Sequence, residues 1–269
     1  MSFEAAPGAG VAVDALRAEL AQAAVGVPDE QLSKFLDWKP NVARAAGRFR
    51  AHCSWRAAHR FAFDDPPLLA SGDPQLKRLL ESEVVVAPDG MVDKQGASVL
   101  VGRLRNNDMS DGRTPEEVCR MALYTIDRVL ETSNARHNGV AIFHDMTGVQ
   151  SKNFSPAVPK LLFGALVGNL PVRIKGIYIL NAPLFFRAFF SVFSLLLPTK
   201  LQDRVRFVSS LSEVYEVIDQ EQMLSEHGGS RTHDTAAWVS NHIAREASGE
   251  LPSHSLMCCV PGDSVITSS

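Results

Sequence analysis

Apolar and polar positions alternate with two different periods along the chain. Before position 83 the apolar residues recur at helical spacing, and this pattern predicts helices at 14–24, 31–38, 42–60 and 74–81. Asn41 is placed as an N-cap, and Asp73-Pro74 supplies both a cap and a first-turn proline. The first part of the chain is therefore predicted to be helical.

From Val84 onward, short β-rich runs alternate with helical patterns. The runs predict strands at 84–87, 97–104, 139–145, 173–180 and 205–209. Helices are predicted at 115–132, 156–170, 184–197 and 236–247. Strands and helices that alternate in this way are typical of an α/β fold with a mostly parallel sheet.

The two periodicities suggest a division of the chain into four parts. We predict an N-terminal tail with a helix at 1–27, a helical lobe at 28–82, an α/β lobe at 83–232, and a C-terminal helix with a tail at 233–269.

The predicted helix Leu184–Leu197 is apolar around most of its circumference. Its only residues that are not apolar are Arg187, Ser191 and Ser194, and their spacing places them on one narrow polar stripe. The helix would be roughly 21 Å long, whereas a membrane span needs about 20 apolar residues. Its second apolar side must therefore meet another core layer, a partner, a lipid cavity or a bilayer surface.

Composition narrows the class of protein. A net charge of -3 over 269 residues argues against a general nucleic-acid binder. The four cysteines, at positions 53, 119, 258 and 259, lack metal-site or disulfide-framework spacing and favour a reducing compartment. No secretory signal pattern is found at the N-terminus. We expect a cytoplasmic monomer without a metal, in which Cys258 and Cys259 are either exposed thiols or acylation sites.

No motif predicts catalysis. The sequence contains neither a P-loop nor a GxGxxG fingerprint. His144-Asp145 has no accompanying nucleophile motif, and the segment from His52-Cys53 to Arg60 lacks the glycine that a phosphate-binding loop requires. We therefore expect a protein that is not an enzyme and that needs no cofactor.

Several segments, in order and spacing, resemble the CRAL-TRIO family of lipid-transfer proteins. They are Leu32–Arg56, Asp93–Arg103, Ala141–Gly148, Arg173–Phe186, Thr199–Phe207 and Glu226–Gly229. The resemblance covers roughly residues 30 to 230 and is nearest to the α-tocopherol transfer protein group and to the lipid-binding domain of a non-receptor tyrosine phosphatase. It implies a helical lobe on an α/β lobe that encloses a lipid pocket.

The resemblance also implies a site. The family's mobile gate helix matches the apolar helix, whose pocket or gate residues would be Phe185, Phe186, Phe189, Phe190, Phe193 and Leu197. In the α-tocopherol transfer group, basic residues that match Arg173, Lys175, Lys200 and Arg204 bind phosphoinositide headgroups. Phosphatidylinositol-transfer members carry a glutamate where this chain has Val172, so phosphatidylinositol is not expected inside the pocket.

The function expected from the resemblance is exchange of one hydrophobic lipid with membranes that carry phosphoinositides. The protein would bind these membranes transiently. One alternative is a lipid-sensing or membrane-targeting module that acts for a partner protein. The other is a hydrolase on the same scaffold, which a nucleophile elbow would support, and the sequence contains none.

Overall fold

Local capping signals fix several helix boundaries in the computed structural model, which describes residues 9–251. Asn41 accepts a hydrogen bond from the Arg44 amide at 3.0 Å, and Asp73 accepts one from the Leu76 amide at 2.9 Å. Thr114 and Glu117 form a capping box at the start of the longest helix of the α/β lobe. These caps satisfy amides that the first helical turn leaves without a partner.

The described residues form helices and five strands. The helices are α1 Ala9–Leu20, α2 Asp29–Trp38, α3 Val42–Ala58, α4 Pro74–Glu81, α5 Pro115–Val129, α6 Ser133–Asn138, α7 Ala157–Leu166, α8 Leu184–Phe193, α9 Thr199–Gln202, α10 Leu211–Tyr215 and α11 Thr235–Ala247. The strands are β1 Val85–Val86, β2 Ser98–Arg103, β3 Val140–Asp145, β4 Ile174–Leu180 and β5 Val205–Val208. Short 3-10 turns connect several of them.

The strands form one sheet in the order β1-β2-β3-β4-β5. β1 pairs antiparallel with β2, and the other neighbours are parallel. From β2 onward, each strand lies next to the preceding one and always on the same side of it. Because connections between parallel strands are right-handed, the connecting helices α5, α7 and α8 all lie on one face of the sheet. The α/β fold with a mostly parallel sheet is therefore confirmed.

Apolar side chains pack on both faces of the sheet. The α5, α7 and α8 side contains the larger core, which includes Leu100, Ile177 and Ile179. On the other face Val214 of α10 packs with Val101 and Phe143. Because successive residues of a strand point to opposite faces, Phe143 lies away from the helices while its neighbours Ile142 and His144 face them.

The N-terminal helices α1, α2 and α3 form a separate core around Leu16, Phe35 and Phe49. The leucines of α4, by contrast, are buried with the residues of the α/β lobe. Lys34 of α2 donates to Glu131, just after α5, at 2.9 Å, and only 2% of the Lys34 side chain is exposed. A buried ion pair thus connects the two groups of helices. The four-part division of the chain stays a prediction.

The structure differs from the predicted elements in several places, which include an α7 that ends at Leu166 and an α10 that was not predicted. α1 begins at Ala9 and is followed by a 3-10 turn, Ala21–Ala24, rather than continuing as one helix from position 14 to 24. The short helix α6 was not predicted, because its six residues offer too little periodicity. α8 ends at Phe193, followed by the 3-10 turn Ser194–Leu196. Cys258 and Cys259 lie outside the described residues.

Candidate functional site

An apolar cavity of about 140 Å³ lies between the sheet and the helices α5, α7 and α8. Leu100, Ile142, Ile177 and Ile179 form its sheet wall. No side chain charged at neutral pH lines it among the residues that the structure describes. Such a surface suits a hydrocarbon chain, which needs a dry and largely featureless wall.

The inward face of α8 closes this cavity with aromatic rings. Four of the six residues that were predicted for the pocket or gate line this cavity: Phe186, Phe189, Phe190 and Phe193. The aromatic rings are in contact: the ring centroids of Phe189 and Phe193 are 5.2 Å apart, and those of Phe189 and Phe154 are 4.9 Å apart. The other two predicted residues do not line the cavity: Phe185 packs against Phe154 with 6.1 Å between ring centroids, and Leu197 is buried in the adjoining core.

The outward face of α8 and of the turn after it is mostly apolar, although Arg187 and Ser191 are also exposed there. Leu184 is 84% exposed, Val192 68%, Leu195 78% and Leu196 75%. Exposed apolar residues are common singly, but a cluster of this kind on one segment marks an interaction surface. The segment from 184 to 197 therefore separates an apolar cavity from an apolar outer surface.

Few polar contacts hold this segment in place. Arg187 donates to the Ala182 carbonyl at 3.2 Å, and Ser191 donates to the Ala188 carbonyl at 2.8 Å. Within the described part of the chain, every hydrogen bond made by residues 184–197 stays inside the range 182–202. Aromatic packing is therefore what holds α8 against the rest of the lobe.

Two special backbone positions flank the segment. Asn181 has a φ of 53°, a left-handed conformation that asparagine tolerates better than most residues. Pro198 restricts Leu197 to the extended conformation that it adopts, so the helix that was predicted to reach Leu197 cannot continue through it. The chain thus changes direction sharply on both sides of α8.

One polar side chain among the cavity walls has a special environment. His144 of β3 faces the cavity, and its neighbour across the strand pair is Gly102. A Cβ atom at Gly102 would lie 2.1 Å from His144 Nδ1, so the missing side chain makes room for the ring. Burial lowers the pKa of His144 to about 4. Its imidazole is therefore neutral near pH 7.

The structure separates His144 from Asp145. The Asp145 carboxylate lies on the other side of the strand, where it accepts hydrogen bonds from Arg105 at 2.6 Å and from the Thr147 amide at 2.9 Å. His227, not His144, is the imidazole beside it, at 3.4 Å. Strand alternation explains this arrangement, because successive residues of β3 point to opposite faces of the sheet.

The four basic residues predicted to bind headgroups lie at the amino ends of β4 and β5. Arg204 donates to the carbonyl of Ile174, which stands between Arg173 and Lys175. Arg173 donates to three backbone carbonyls, those of Asp37, Arg136 and His137. Lys175 and Lys200 are exposed. The two arginines are therefore engaged with the backbone, while the two lysines extend into solvent.

Secondary structure around these residues differs slightly from the prediction. β4 begins at Ile174, so Arg173 precedes the strand on which it was expected to alternate with Lys175. α9 ends at Gln202, so Arg204 lies beyond the helix and does not share a helical face with Lys200. The contact between Arg204 and Ile174 brings the two segments together instead.

A larger groove of about 700 Å³ lies between α11, the C-terminal end of α5 and the β1–β2 connection. Asp89, Glu131, Arg128 and Arg245 line it, so both signs of charge face its interior. Burying an acyl chain against these groups would remove their hydration without replacing it. The smaller cavity behind α8 is the better candidate for an apolar ligand despite its size.

An α/β lobe with an internal apolar cavity, closed by a helix that is apolar on both faces, defines a class of proteins that enclose hydrophobic molecules. The model of the CRAL/TRIO domain matches residues 82–229, more than half of the chain. The chain belongs to the CRAL-TRIO family, a family of lipid-binding and lipid-transfer proteins.

Similar proteins include members with different domain contexts. Tyrosine-protein phosphatase non-receptor type 9 of Mus musculus is 31% identical over 54% of this chain and 24% of its own length. Alpha-tocopherol transfer protein-like of Homo sapiens is 27% identical over 48% of this chain and 40% of its own. Clavesin-2 of Homo sapiens is 26% identical over 65% of this chain and 54% of its own length. This chain thus spans about a quarter of the phosphatase.

Among solved structures, the crystal structure of Sfh5 shares the fold. The two superpose with a TM-score of 0.56 over 86% of this chain and 90% of that one, at 11% sequence identity. A likeness at this identity concerns the fold alone. Within residues 9–251, no helix has the length and apolar character needed to cross a bilayer.

Proposed function

We propose that this protein carries one hydrophobic lipid behind α8 and exchanges it with membranes, without catalysing a reaction. The observation that carries the proposal is the apolar character of α8 on both faces, one toward the cavity and one toward solvent. A helix that only covered a core would have a polar outer face. One relative, 27% identical to this chain, carries the name alpha-tocopherol transfer protein-like.

Movement of α8 is the step that would admit the ligand. Ligand pockets usually enclose about 300–1,000 Å³, and the cavity has about 140 Å³. One wall must therefore move outward to admit a lipid. Among the described residues, the segment 184–197 is hydrogen-bonded only within the range 182–202, and Asn181 and Pro198 provide the turns about which α8 can swing. Its outer leucines would enter the acyl region of a bilayer as its phenylalanines leave the cavity wall.

Basic residues would orient the protein on an anionic leaflet. Lys175 and Lys200 are the exposed cations of the proposed headgroup site, and each can approach a phosphate as a point charge. Arg173 and Arg204 hold the two segments through backbone carbonyls, and their guanidinium charges add to the positive potential of the site. The phosphoinositide headgroup stays outside the apolar cavity in this arrangement.

Transfer between two vesicle populations tests the proposal. Donor vesicles contain a self-quenched fluorescent lipid, acceptor vesicles contain phosphoinositide, and dequenching reports transfer. Carriage predicts a rate that rises in proportion to protein concentration and falls when acceptors lack phosphoinositide. A rate equal to the protein-free rate for a panel of sterol, tocopherol and glycerolipid probes would refute the proposal.

A second function is favoured by one comparison. In the phosphatase relative, the part similar to this chain covers 24% of a longer protein. The same lobe can therefore belong to a larger regulatory molecule, and this chain would then sense a lipid on behalf of a partner. A sensor would bind lipid and membrane yet show no multiple-turnover transfer in the vesicle assay, whereas a carrier would show it.

A further inference from the structure

Of the described residues in the wall of the cavity behind α8, His144 is the one with a titratable side chain. Among the residues that the structure describes, no hydrogen bond to either of its ring nitrogens is found, although the neighbouring Asn107 is bonded to the Asn153 carbonyl at 3.0 Å and to Arg113. Buried polar groups are normally satisfied. An imidazole that faces a cavity without a partner is therefore available to a ligand.

The surroundings of His144 hold its ring in place. β2 and β3 pair with Gly102 opposite His144, and any larger residue at 102 would displace the imidazole. The ring thus has a fixed place on the strand pair, and the rest of the cavity wall is aliphatic or aromatic apart from Asn107, Ser155 and a proline. The Asn107 side chain is already bonded to Asn153 and Arg113, and Ser155 Oγ accepts from the Ala157 amide at 3.3 Å. A few fixed polar groups in an apolar wall orient a ligand, and among those that the structure describes here His144 is the one without a protein partner.

The charge state of His144 restricts what it can bind. With its pKa lowered by burial to about 4, the ring carries one N–H donor and one acceptor nitrogen near pH 7. No lysine or arginine lines the cavity within the described residues to neutralise a carboxylate or a phosphate. An uncharged hydroxyl, which both donates and accepts, matches a neutral imidazole.

We propose that His144 is the polar anchor of the lipid site and selects uncharged lipids that carry a hydroxyl group. The inference rests on the proposed lipid carriage and adds the class of ligand. The hydroxyl would lie against the β2–β3 strand pair at His144, and the hydrocarbon would extend between α5, α7 and α8. Lipids with a charged head would have to keep that head outside the cavity.

Three probes of equal chain length test the anchor: 1-hexadecanol, hexadecane and palmitate. Each radiolabelled probe is equilibrated between phosphatidylcholine vesicles and the protein, and the protein-to-vesicle ratio is measured. For His144→Phe we expect the hexadecanol ratio to fall about tenfold and the hexadecane ratio to change by less than about twofold. His144→Gln, which keeps a donor and an acceptor, should retain most of the preference for hexadecanol.

The outcomes separate this inference from the proposed function. Equal losses for hexadecanol and hexadecane, or no loss for either, would overturn the anchor and leave lipid carriage intact. Failure of the wild type to take up any of the three probes would overturn both. Tighter binding of palmitate than of hexadecanol by the wild type would overturn the selection for uncharged lipids.

A measurement on the wild type covers the case in which His144→Phe does not fold. Histidine ring ¹⁵N resonances are recorded before and after addition of hexadecanol, and the His144 signal is the one absent from His144→Gln. A shift of that signal with hexadecanol, and not with hexadecane, supports the anchor. An unchanged His144 signal in protein that has taken up hexadecanol overturns it.

Discussion

At the scale of single residues, two buried histidines link stability to pH. Burial, with a further contribution from the Arg56 cation, lowers the pKa of His52 to about 3, although Asp64 acts in the opposite direction. Burial alone lowers the pKa of His144 to about 4. In the unfolded chain the pKa of a histidine is near 6.5. At a pH somewhat below 6.5, therefore, both rings are protonated in the unfolded chain and still neutral in the folded protein.

The sign of the effect follows from proton binding. Between about pH 6.5 and 4 the unfolded state holds more protons, so the free energy of unfolding falls as the pH falls. Between about pH 7 and pH 4.5, the free energy of unfolding should fall for both proteins. We expect the fall to be roughly 2–3 kcal/mol smaller for His52→Phe than for the wild type. Urea unfolding of both proteins at the two pH values measures this difference. Parallel pH profiles would show that His52 is not responsible.

The exposed lysines of the proposed headgroup site give a second prediction at this scale. Each cation near an anionic surface contributes about 1 kcal/mol, so Lys175→Ala with Lys200→Ala should weaken binding to phosphoinositide vesicles by about 2 kcal/mol, near thirtyfold. Cosedimentation at two salt concentrations measures it, and salt should affect the wild type more than the variant.

A matched control removes the same charge elsewhere. Lys77 and Lys94 are exposed and form only long surface pairs, at 3.7 Å with Glu81 and 3.5 Å with Asp219. Their replacement by alanine should cost little stability and little vesicle affinity if position matters. Equal weakening by both double variants would mean that total charge, and no particular site, attracts the membrane.

Residue patterns predicted some features of the site and could not predict others. Strand alternation puts Ile142 and His144 on one face of β3, but which face meets the helices, and the cavity there, depend on packing between distant segments. The carbonyl partners of Arg173 come from Asp37 and Arg136, far away in the sequence. Contacts of this kind have no local signature, so the four basic residues were predicted as equivalent although their surroundings differ.

At the scale of elements, local signals predicted boundaries well where a cap was present. Pro74–Glu81 and the start of α5 agree with the cap residues that predicted them. α8 was predicted too long because apolar residues continue almost without interruption up to Pro198, whereas the backbone changes to a 3-10 turn after Phe193 and is extended at Leu197. The apolar character of α8 around most of its circumference, which composition does reveal, remains the strongest sequence signal for its proposed role.

The outer face of α8 can be tested without disturbing the cavity. Val192→Asp with Leu195→Asp places two carboxylates at positions 68% and 78% exposed, so the fold should persist. Carboxylates resist transfer into a bilayer, and lipid transfer between vesicles should fall at least about tenfold while co-purified lipid is retained. Phe193 is unsuited to this test because it is buried, and its replacement would also affect folding.

The control for the α8 variant uses other exposed valines. Val11 and Val25 are 74% and 61% exposed on the N-terminal helical segment, away from the cavity. Val11→Asp with Val25→Asp adds the same charge, and we expect it to leave transfer within about twofold of the wild type. An unchanged transfer rate in the α8 variant would show that the outer face does not enter the membrane.

At the scale of the whole molecule, the helical lobe and the α/β lobe are tied by buried polar contacts. Lys34 pairs with Glu131 across the boundary and also attracts the buried Asp127 carboxyl electrostatically. Arg173, at the start of β4, reaches back to the Asp37 carbonyl at 3.1 Å. Because Arg173 adjoins Lys175, the position of the helical lobe helps to fix the amino end of β4.

Lys34→Met tests how strongly this contact couples the lobes. Removing one partner of a buried pair leaves a carboxylate without its cation, and we expect the free energy of unfolding to fall by about 2–4 kcal/mol, with Glu131→Gln in the same chain recovering part of it. Lys39→Met, at an exposed position of the same segment, should cost less than about 0.5 kcal/mol. Urea unfolding followed by fluorescence and circular dichroism measures both variants. If the pair couples the lobes, the two probes will coincide for the wild type and separate for Lys34→Met; coincident curves with no loss of stability would assign the coupling to the apolar contacts instead.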